Sequence, residues 1–251
     1  MAPRPPGAPE LGKDGLYVLS GAGIELAVEA QTGNLARLSL DGKPALLPPE
    51  PQPPLFHAEV EGSALLLKTA QGGQSKRIRL DTARRAIEIT YTLTNTTAST
   101  LHASVADVLL LPSAAGLTFF PAAGKPHPGA TLELDLSKPV VWLTHEQPRE
   151  PKPLMAAVDS SEGWLASVHD GLVLVAQASG GARPLVSLMA PYDAARKERP
   201  FIELATRREL EILPGASASY ELRLFLRALP PQLLPKSGNQ ALLGFVRGVI
   251  Q

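Results

Sequence analysis

The sequence predicts an all-β protein, an antiparallel supersandwich of two large packed sheets with a short C-terminal helix. Three observations carry this prediction. Short apolar runs, many alternating with polar residues, recur along the 251 residues, as is typical of half-buried strands. The 25 prolines and 21 glycines stand mostly between these runs, where turns are expected. Helices of crossover length do not separate the runs, which disfavours parallel βαβ units.

The chain length fits one large all-β domain or two small ones. We expect a disordered Pro-rich segment over residues 1–14, a β-supersandwich domain over 15–230, and a connector with a docked helix over 231–251. The Pro-rich start is typical of the tether that follows a removed export signal, and equally of a disordered tail on a cytosolic protein. An exported protein, periplasmic or extracellular, is slightly favoured over a cytoplasmic one.

The first strands form hairpins. Residues 24–29 roughly alternate apolar and polar side chains, and Asp41-Gly42 predicts a two-residue hairpin turn because both positions tolerate a positive φ. Five prolines within residues 48–54 predict an extended surface loop. The strands expected up to this loop cover 17–20, 23–30, 35–40 and 43–47.

The remaining strands continue this pattern, with a second hairpin turn expected at Asp170-Gly171. The clearest is 86–94, where β-branched and aromatic residues recur. Apolar residues at helical spacing predict a helix over 239–250, with Ser237 or Asn239 as its N-cap. The other expected strands are 56–60, 64–70, 76–80, 101–111, 131–136, 140–143, 155–158, 165–169, 172–178, 185–189, 201–206, 209–213 and 220–226.

Composition excludes several classes of function. Lysine plus arginine and aspartate plus glutamate both number 24, so no basic surface is expected for nucleic acid, and membrane insertion is not expected. The absence of cysteine excludes disulfides, thiol nucleophiles and thiolate zinc sites. We expect no metal site and no cofactor, and either a monomer or a weak homodimer.

Two motifs resemble a known family. Thr92-Leu-Thr-Asn-Thr96 ends one strand, and Leu213-Pro-Gly-Ala-Ser217 follows another. With their surroundings, and with the first hairpins, they are similar to a bacterial family related to galactose mutarotase (aldose 1-epimerase). The resemblance covers well over half of the chain. It implies a galactose mutarotase-like sandwich, and its motifs are more specific for the fold than for function.

The resemblance also implies a place for a site. In the mutarotases an Asn-His pair ends the strand that corresponds to 101–111, a second histidine is the general acid, and a glutamate on a late strand is the general base. Here the pair reads Ala106-Asp107, and the glutamate is matched by Glu203. The second histidine has no convincing match. Because anomer interconversion needs both an acid and a base, the acid/base set is incomplete.

Glu203 is therefore the candidate catalytic residue. The alternative is an outward-facing strand glutamate paired with Arg207 or Arg208. Asp107 is a candidate ligand-binding residue, because a carboxylate within an apolar strand needs a partner. The alternative for Asp107 is a structural ion pair.

Four further candidates lie near expected loops. His145 follows Trp142 on a predicted loop, and loops carry many binding sites. Trp142 could stack on a sugar or simply fill the core. Tyr192 and Arg199 belong to a charged stretch just before Glu203, which predicts either a lid or anion clamp or a solvated surface loop.

Three functions remain open. The leading one is a carbohydrate-related binding protein whose catalytic pair is incomplete, with a saccharide as its ligand. The first alternative is a sugar epimerase or polysaccharide-processing enzyme that uses Glu203 as a base. The second alternative is a structural or interaction module of the cell envelope, which predicts an exposed apolar patch or sheet edge.

Overall fold

The computed structural model describes residues 7–49, 52, 55–112, 117–121, 124–126, 140–142, 154–160, 162–179, 185–190, 193, 195, 201–233 and 240–251. These residues form antiparallel sheets and one α-helix, which confirms the predicted all-β class.

The strands of the described residues are numbered in chain order. They are β1 (Glu10–Leu11), β2 (Leu16–Gly21), β3 (Ile24–Glu29), β4 (Leu35–Leu40), β5 (Lys43–Pro44), β6 (Phe56–Glu61), β7 (Ala64–Thr69), β8 (Gln74–Asp81), β9 (Ala86–Thr94), β10 (Leu101–Pro112), β11 (Leu117–Pro121), β12 (Gly124–Pro126), β13 (Val140–Trp142), β14 (Leu154–Ser160), β15 (Trp164–His169), β16 (Leu172–Ser179), β17 (Leu185–Ala190), β18 (Phe201–Ile212) and β19 (Ser217–Ala228). A 3₁₀ turn (Pro231–Leu233) precedes α1 (Gln240–Val249).

The chain forms two compact units. The first comprises Met1–Val105 and Arg208–Leu224, and the second comprises Ala106–Arg207 and Phe225–Gln251. Three long strands, β10, β18 and β19, each have residues in both units.

The first unit contains a five-stranded sheet in the order β1-β2-β3-β4-β5, and a run β6-β7-β8-β9 beside the first part of β19. β2 packs against β8. In β8, Ile78 and Leu80 are buried whereas Arg77 and Arg79 are exposed, so the period of two predicted from the sequence separates a core face from a solvent face.

The second unit contains the order β10-β18-β17-β14-β12, and a run β13-β11-β15-β16 beside the end of β19. Every residue of β15 is buried, so both faces of this strand are covered. α1 packs against β16 and buries Leu242, Val246 and Val249. The predicted helix is thus confirmed, and its suggested N-caps lie outside the described residues.

Two predicted hairpin turns are confirmed. Asp41 and Gly42 have φ values of 50° and 78°, and Asp170 and Gly171 have 48° and 73°. Positive φ at both central residues is the signature of the type I′ turn, whose twist matches that of the flanking strands.

The N-terminal segment differs from the prediction of disorder over 1–14. The Gly7 amide donates to the Ser20 carbonyl at 3.1 Å, and Glu10 pairs with Val18 in β1. Because β1 is an edge strand, prolines near it remove no ladder hydrogen bond. Residues 1–6 lie outside the described part of the chain.

β18 also differs from the prediction, which divided it into strands over 201–206 and 209–213. The structure has one strand, Phe201–Ile212. Arg207 and Arg208 interrupt the apolar pattern, but the alternation continues through them to the buried Leu210 and Ile212. The strand predicted over 131–136 lies outside the described residues.

The two sequence motifs meet at Asn95, whose side chain is fully buried. Its amide nitrogen donates to the carbonyls of Ile212 and Ser99 at 2.8 and 2.7 Å. Its backbone N–H donates to Ala216, and its carbonyl accepts from Gly215. The enclosed Asn95 amide is therefore part of the hydrogen bonding that joins the two turns.

Candidate functional site

The sheet β18-β17-β14 has one buried and one partly exposed face. Alternate residues belong to the same face, because successive strand side chains point in opposite directions. The buried face carries Val158, Val186, Leu188, Ile202, Leu204 and Thr206, each at most 2% exposed. The opposite face carries the partly exposed Met155, Leu185, Ser187, Met189, Phe201, Glu203 and Ala205.

Glu203 lies on the partly exposed face. It stands directly opposite Met189 of β17, and Met189 stands directly opposite Met155 of β14. One row across three strands therefore contains a carboxylate followed by two thioethers. In the next row Ala205 faces Ser187, and Ser187 faces the buried Ala157.

The chemistry of this face follows from its residues. An ionised carboxylate accepts hydrogen bonds, whereas a thioether is a weak acceptor and no donor. Ser187 adds one hydroxyl. The rows at Glu203 and Ala205 therefore combine one strong acceptor with a largely apolar floor, and the exposed Arg207 follows further along the same face of β18.

Asp107 lies on the other side of this sheet. In β10 the buried residues are Val105, Asp107, Leu109 and Leu111, and β10 is a hydrogen-bonded neighbour of β18. Because the buried faces of neighbouring strands share one side of a sheet, Asp107 and Glu203 project from opposite sides. Of these two acidic residues, only Glu203 therefore lies on the partly exposed face.

The two arginines considered as partners of Glu203, Arg207 and Arg208, lie on different faces of β18. Arg207 lies on the same face of β18 as Glu203, four residues further along the strand, or about 13 Å between Cα atoms at the usual rise. Arg208 belongs to the opposite face by the same alternation. Along β18, Arg207 therefore shares the face of Glu203 and Arg208 does not, and pairing of Glu203 with either arginine stays a prediction from the sequence.

Of the other four predicted site residues, the structure describes only Trp142. Trp142 ends the short strand β13, where it is the register partner of Leu117. His145, Tyr192 and Arg199 lie outside the described residues. Ligand roles for these four residues stay predictions from the sequence.

Sequence reasoning did not find the two methionines. Met155 and Met189 are the methionines of this chain other than Met1, and both lie at strand positions without a motif. β14 and β17 are separated along the chain by β15 and β16. Only the sheet order brings them together, so no local signal in the sequence could have paired them.

The described part of the chain contains neither a metal-binding cluster nor a helix that could cross a membrane. No group of three or more acidic or histidine residues there could hold a metal ion. The described helix is too short to span a membrane.

No protein-family model matches the sequence, and no curated protein matches it. Solved structures do. A candidate aldose 1-epimerase from Escherichia coli K12 is 15% identical, with a TM-score of 0.67 over 85% of this chain and 99% of that one. A galactose mutarotase-like protein from Lactobacillus casei is 11% identical, with a TM-score of 0.63 over 85% and 100%.

A third structure, a galactose 1-epimerase from Lactobacillus acidophilus, is 9% identical, with a TM-score of 0.60 over 89% of this chain and 98% of that one. At these identities the similarity concerns the fold. The chain has a galactose mutarotase-like fold, as the sequence motifs predicted.

Proposed function

We propose that this galactose mutarotase-like chain is a carbohydrate-binding protein, and that the saccharide lies on the partly exposed face of β14, β17 and β18. The observation that carries the proposal is the position of Glu203. It places a carboxylate on the more accessible side of the sheet, with the thioether side chain of Met189 at the directly opposite position of the neighbouring strand. There it can accept a hydrogen bond from a sugar hydroxyl.

Binding to this face is tested by isothermal titration calorimetry with a panel of hexoses and uronic acids. We expect at least one sugar to bind. We expect Glu203→Gln to weaken its affinity by about 10-fold or more, because a hydrogen bond to a charged acceptor is replaced by a weaker one. Thermal unfolding of the variant should match the wild type, since Glu203 is partly exposed.

The matched control is Glu209→Gln. Glu209 is an exposed glutamate on the same strand, so the substitution makes the same change in charge away from the proposed site. Its affinity should equal that of the wild type. Absence of binding by the wild type at millimolar concentrations of every sugar would overturn the proposal and favour the envelope-module alternative.

Sugar epimerisation with Glu203 as the base is the second candidate. Its support is that Glu203 matches the family's late-strand glutamate, together with the fold shared with a galactose 1-epimerase. Against it, the Asn-His position reads Ala106-Asp107, and a base without an acid catalyses anomer exchange poorly. Polarimetry on freshly dissolved α-D-galactose separates the two: turnover abolished by Glu203→Gln indicates an enzyme, and no acceleration indicates a binding protein.

A further inference from the structure

The side chains of the row Glu203–Met189–Met155 limit which chemical groups of a sugar can lie against this face. Met189 is the direct cross-strand partner of Glu203 and of Met155. Both methionines are partly exposed on the same face as the carboxylate. Neighbouring strands lie about 4.8 Å apart, so the three positions span about 10 Å across the sheet. A single hexose that donates one hydroxyl to Glu203 can therefore extend over Met189.

The chemistry of Met189 decides which part of the sugar fits there. A hydroxyl placed against a thioether loses its hydrogen bonds to water and gains no strong partner. A methyl group at the same place is removed from water favourably, and the flexible, polarizable methionine adapts to its shape. The second methionine, Met155, extends this apolar floor instead of adding a hydrogen-bonding group.

The neighbouring row offers little that would hold an additional hydroxyl. Ala205 and Ala157 have no polar side-chain atom, and Ser187 has one hydroxyl. These two rows therefore supply one strong acceptor at their β18 side and an apolar surface beside it. A sugar with a hydroxyl at one end and a methyl group at the other is complementary to it.

We propose that the ligand is a 6-deoxyhexose, bound with a ring hydroxyl donating to Glu203 and with its C6 methyl group against Met189. This inference rests on the proposed function, and it adds the substrate class and a specificity-determining residue, Met189. A site that is merely apolar discriminates weakly against an added hydroxyl, so we expect a preference of about 10-fold over the parent hexose.

The test uses matched pairs that differ only in the C6 hydroxyl. They are D-fucose with D-galactose, D-quinovose with D-glucose, L-fucose with L-galactose, and L-rhamnose with L-mannose, each titrated calorimetrically into the wild-type protein. The 6-deoxy member of at least one pair should bind about 10-fold more tightly than its parent.

Substitution at Met189 identifies the residue responsible. Met189→Gln has a similar length but adds hydrogen-bonding groups, so the ratio of the two dissociation constants should fall to near one. Met189→Leu keeps the surface apolar, so the preference should persist. Leu66→Gln, at a partly exposed strand position of the first unit, is the control and should leave the ratio unchanged. Circular dichroism verifies that each variant is folded.

The two proposals fail differently. If wild-type protein binds the parent hexose as tightly as its 6-deoxy form in every pair, the 6-deoxyhexose assignment is overturned and saccharide binding stands. The assignment is likewise overturned if Met189→Gln retains the full preference. If no sugar of any pair or of the larger panel binds, saccharide binding fails and this assignment fails with it.

Discussion

Asn95 shows how one side chain can join two distant parts of the chain. It is fully buried, and its amide nitrogen donates to Ile212 and Ser99 while its Oδ1 accepts from Thr97. A buried group whose partners are removed costs much more free energy than the average hydrogen bond contributes. We therefore expect Asn95 to contribute strongly to the stability of the first unit.

Replacement of Asn95 by alanine should lower the free energy of unfolding by about 2–4 kcal/mol, because the buried Ile212 carbonyl loses its side-chain donor and the Ser99 carbonyl loses one of its two. Urea denaturation measures this change. Thr96→Ala, an exposed neighbour, should cost under about 0.5 kcal/mol. Equal stabilities for the two variants would contradict the structural role of Asn95.

Asp107 and Glu203 differ in accessibility, and their variants should separate two kinds of effect. Asp107 is 7% exposed within an otherwise apolar face, so Asp107→Asn should change the melting temperature and leave sugar affinity unaltered. Glu203→Gln should do the reverse. Calorimetric titration gives the sugar affinity of each variant, and thermal unfolding gives its melting temperature. Loss of affinity in folded Asp107→Asn would instead support the ligand-binding role predicted from the sequence.

At the level of elements, the buried Lys76 connects β8 to the turn after β3. Its Nζ donates to the Gly33 carbonyl at 2.8 Å and lies 4.9 Å from the centroid of the Tyr91 ring. Tyr91 in turn packs on Tyr220, with ring centroids 6.1 Å apart. The ammonium group of Lys76 thus links β8 to the turn after β3 and contacts one of a pair of packed tyrosine rings in the first unit.

Lys76→Ala should destabilise the protein by about 2–4 kcal/mol, since it removes a buried hydrogen bond, a cation–π contact and a packed side chain. Lys68→Ala is the comparison. Lys68 pairs with Glu59 at 2.9 Å, but the two side chains are 48% and 61% exposed, so its loss should cost under about 1 kcal/mol. Denaturant midpoints that show no difference would refute this ranking.

The turn between β1 and β2 contains a carboxyl whose pKa is perturbed. The Leu16 amide, and secondarily Arg37, lower the pKa of Asp14 below its ordinary value. A folded-state pKa below the unfolded one gives a stabilising contribution that is present above the unfolded pKa and is lost as the pH falls through the folded pKa. An NMR titration of Asp14 should give a midpoint below that of an unstructured aspartate; an equal or higher midpoint would contradict the assignment.

At the scale of the whole molecule, charge is balanced. The chain has 24 basic and 24 acidic residues and an isoelectric point of about 7.0. Charge neutrality removes the repulsion that keeps proteins apart.

Weak self-association should therefore be greatest near pH 7 and decrease towards pH 5, where protonation of the five histidines and of some carboxylates gives the chain a positive net charge. Sedimentation velocity at several concentrations measures it. Association that is unchanged at pH 5 would point to a specific interface instead of charge neutrality.

Much of the fold could be predicted because strand information is local. Recurring β-branched and aromatic residues marked β9, a long apolar run marked β10, and the Asp-Gly pairs marked two hairpin turns whose central residues have positive φ in the structure. Errors arose where the pattern was interrupted without a change in backbone, as at Arg207-Arg208 within β18. A charged side chain can point to solvent from an unbroken strand, so hydropathy alone overestimates such breaks.

The candidate site was only partly predictable. Glu203 could be selected from its motif, but the face it occupies depends on the pairing of β18 with β17. Met155 and Met189 became neighbours only through pairing of strands that are not consecutive. The sequence by itself determined the strands, their turns and one acidic candidate, because these depend on nearest neighbours along the chain. Tertiary structure alone decided which side chains share a face, because register and strand order are set by packing between segments distant in sequence.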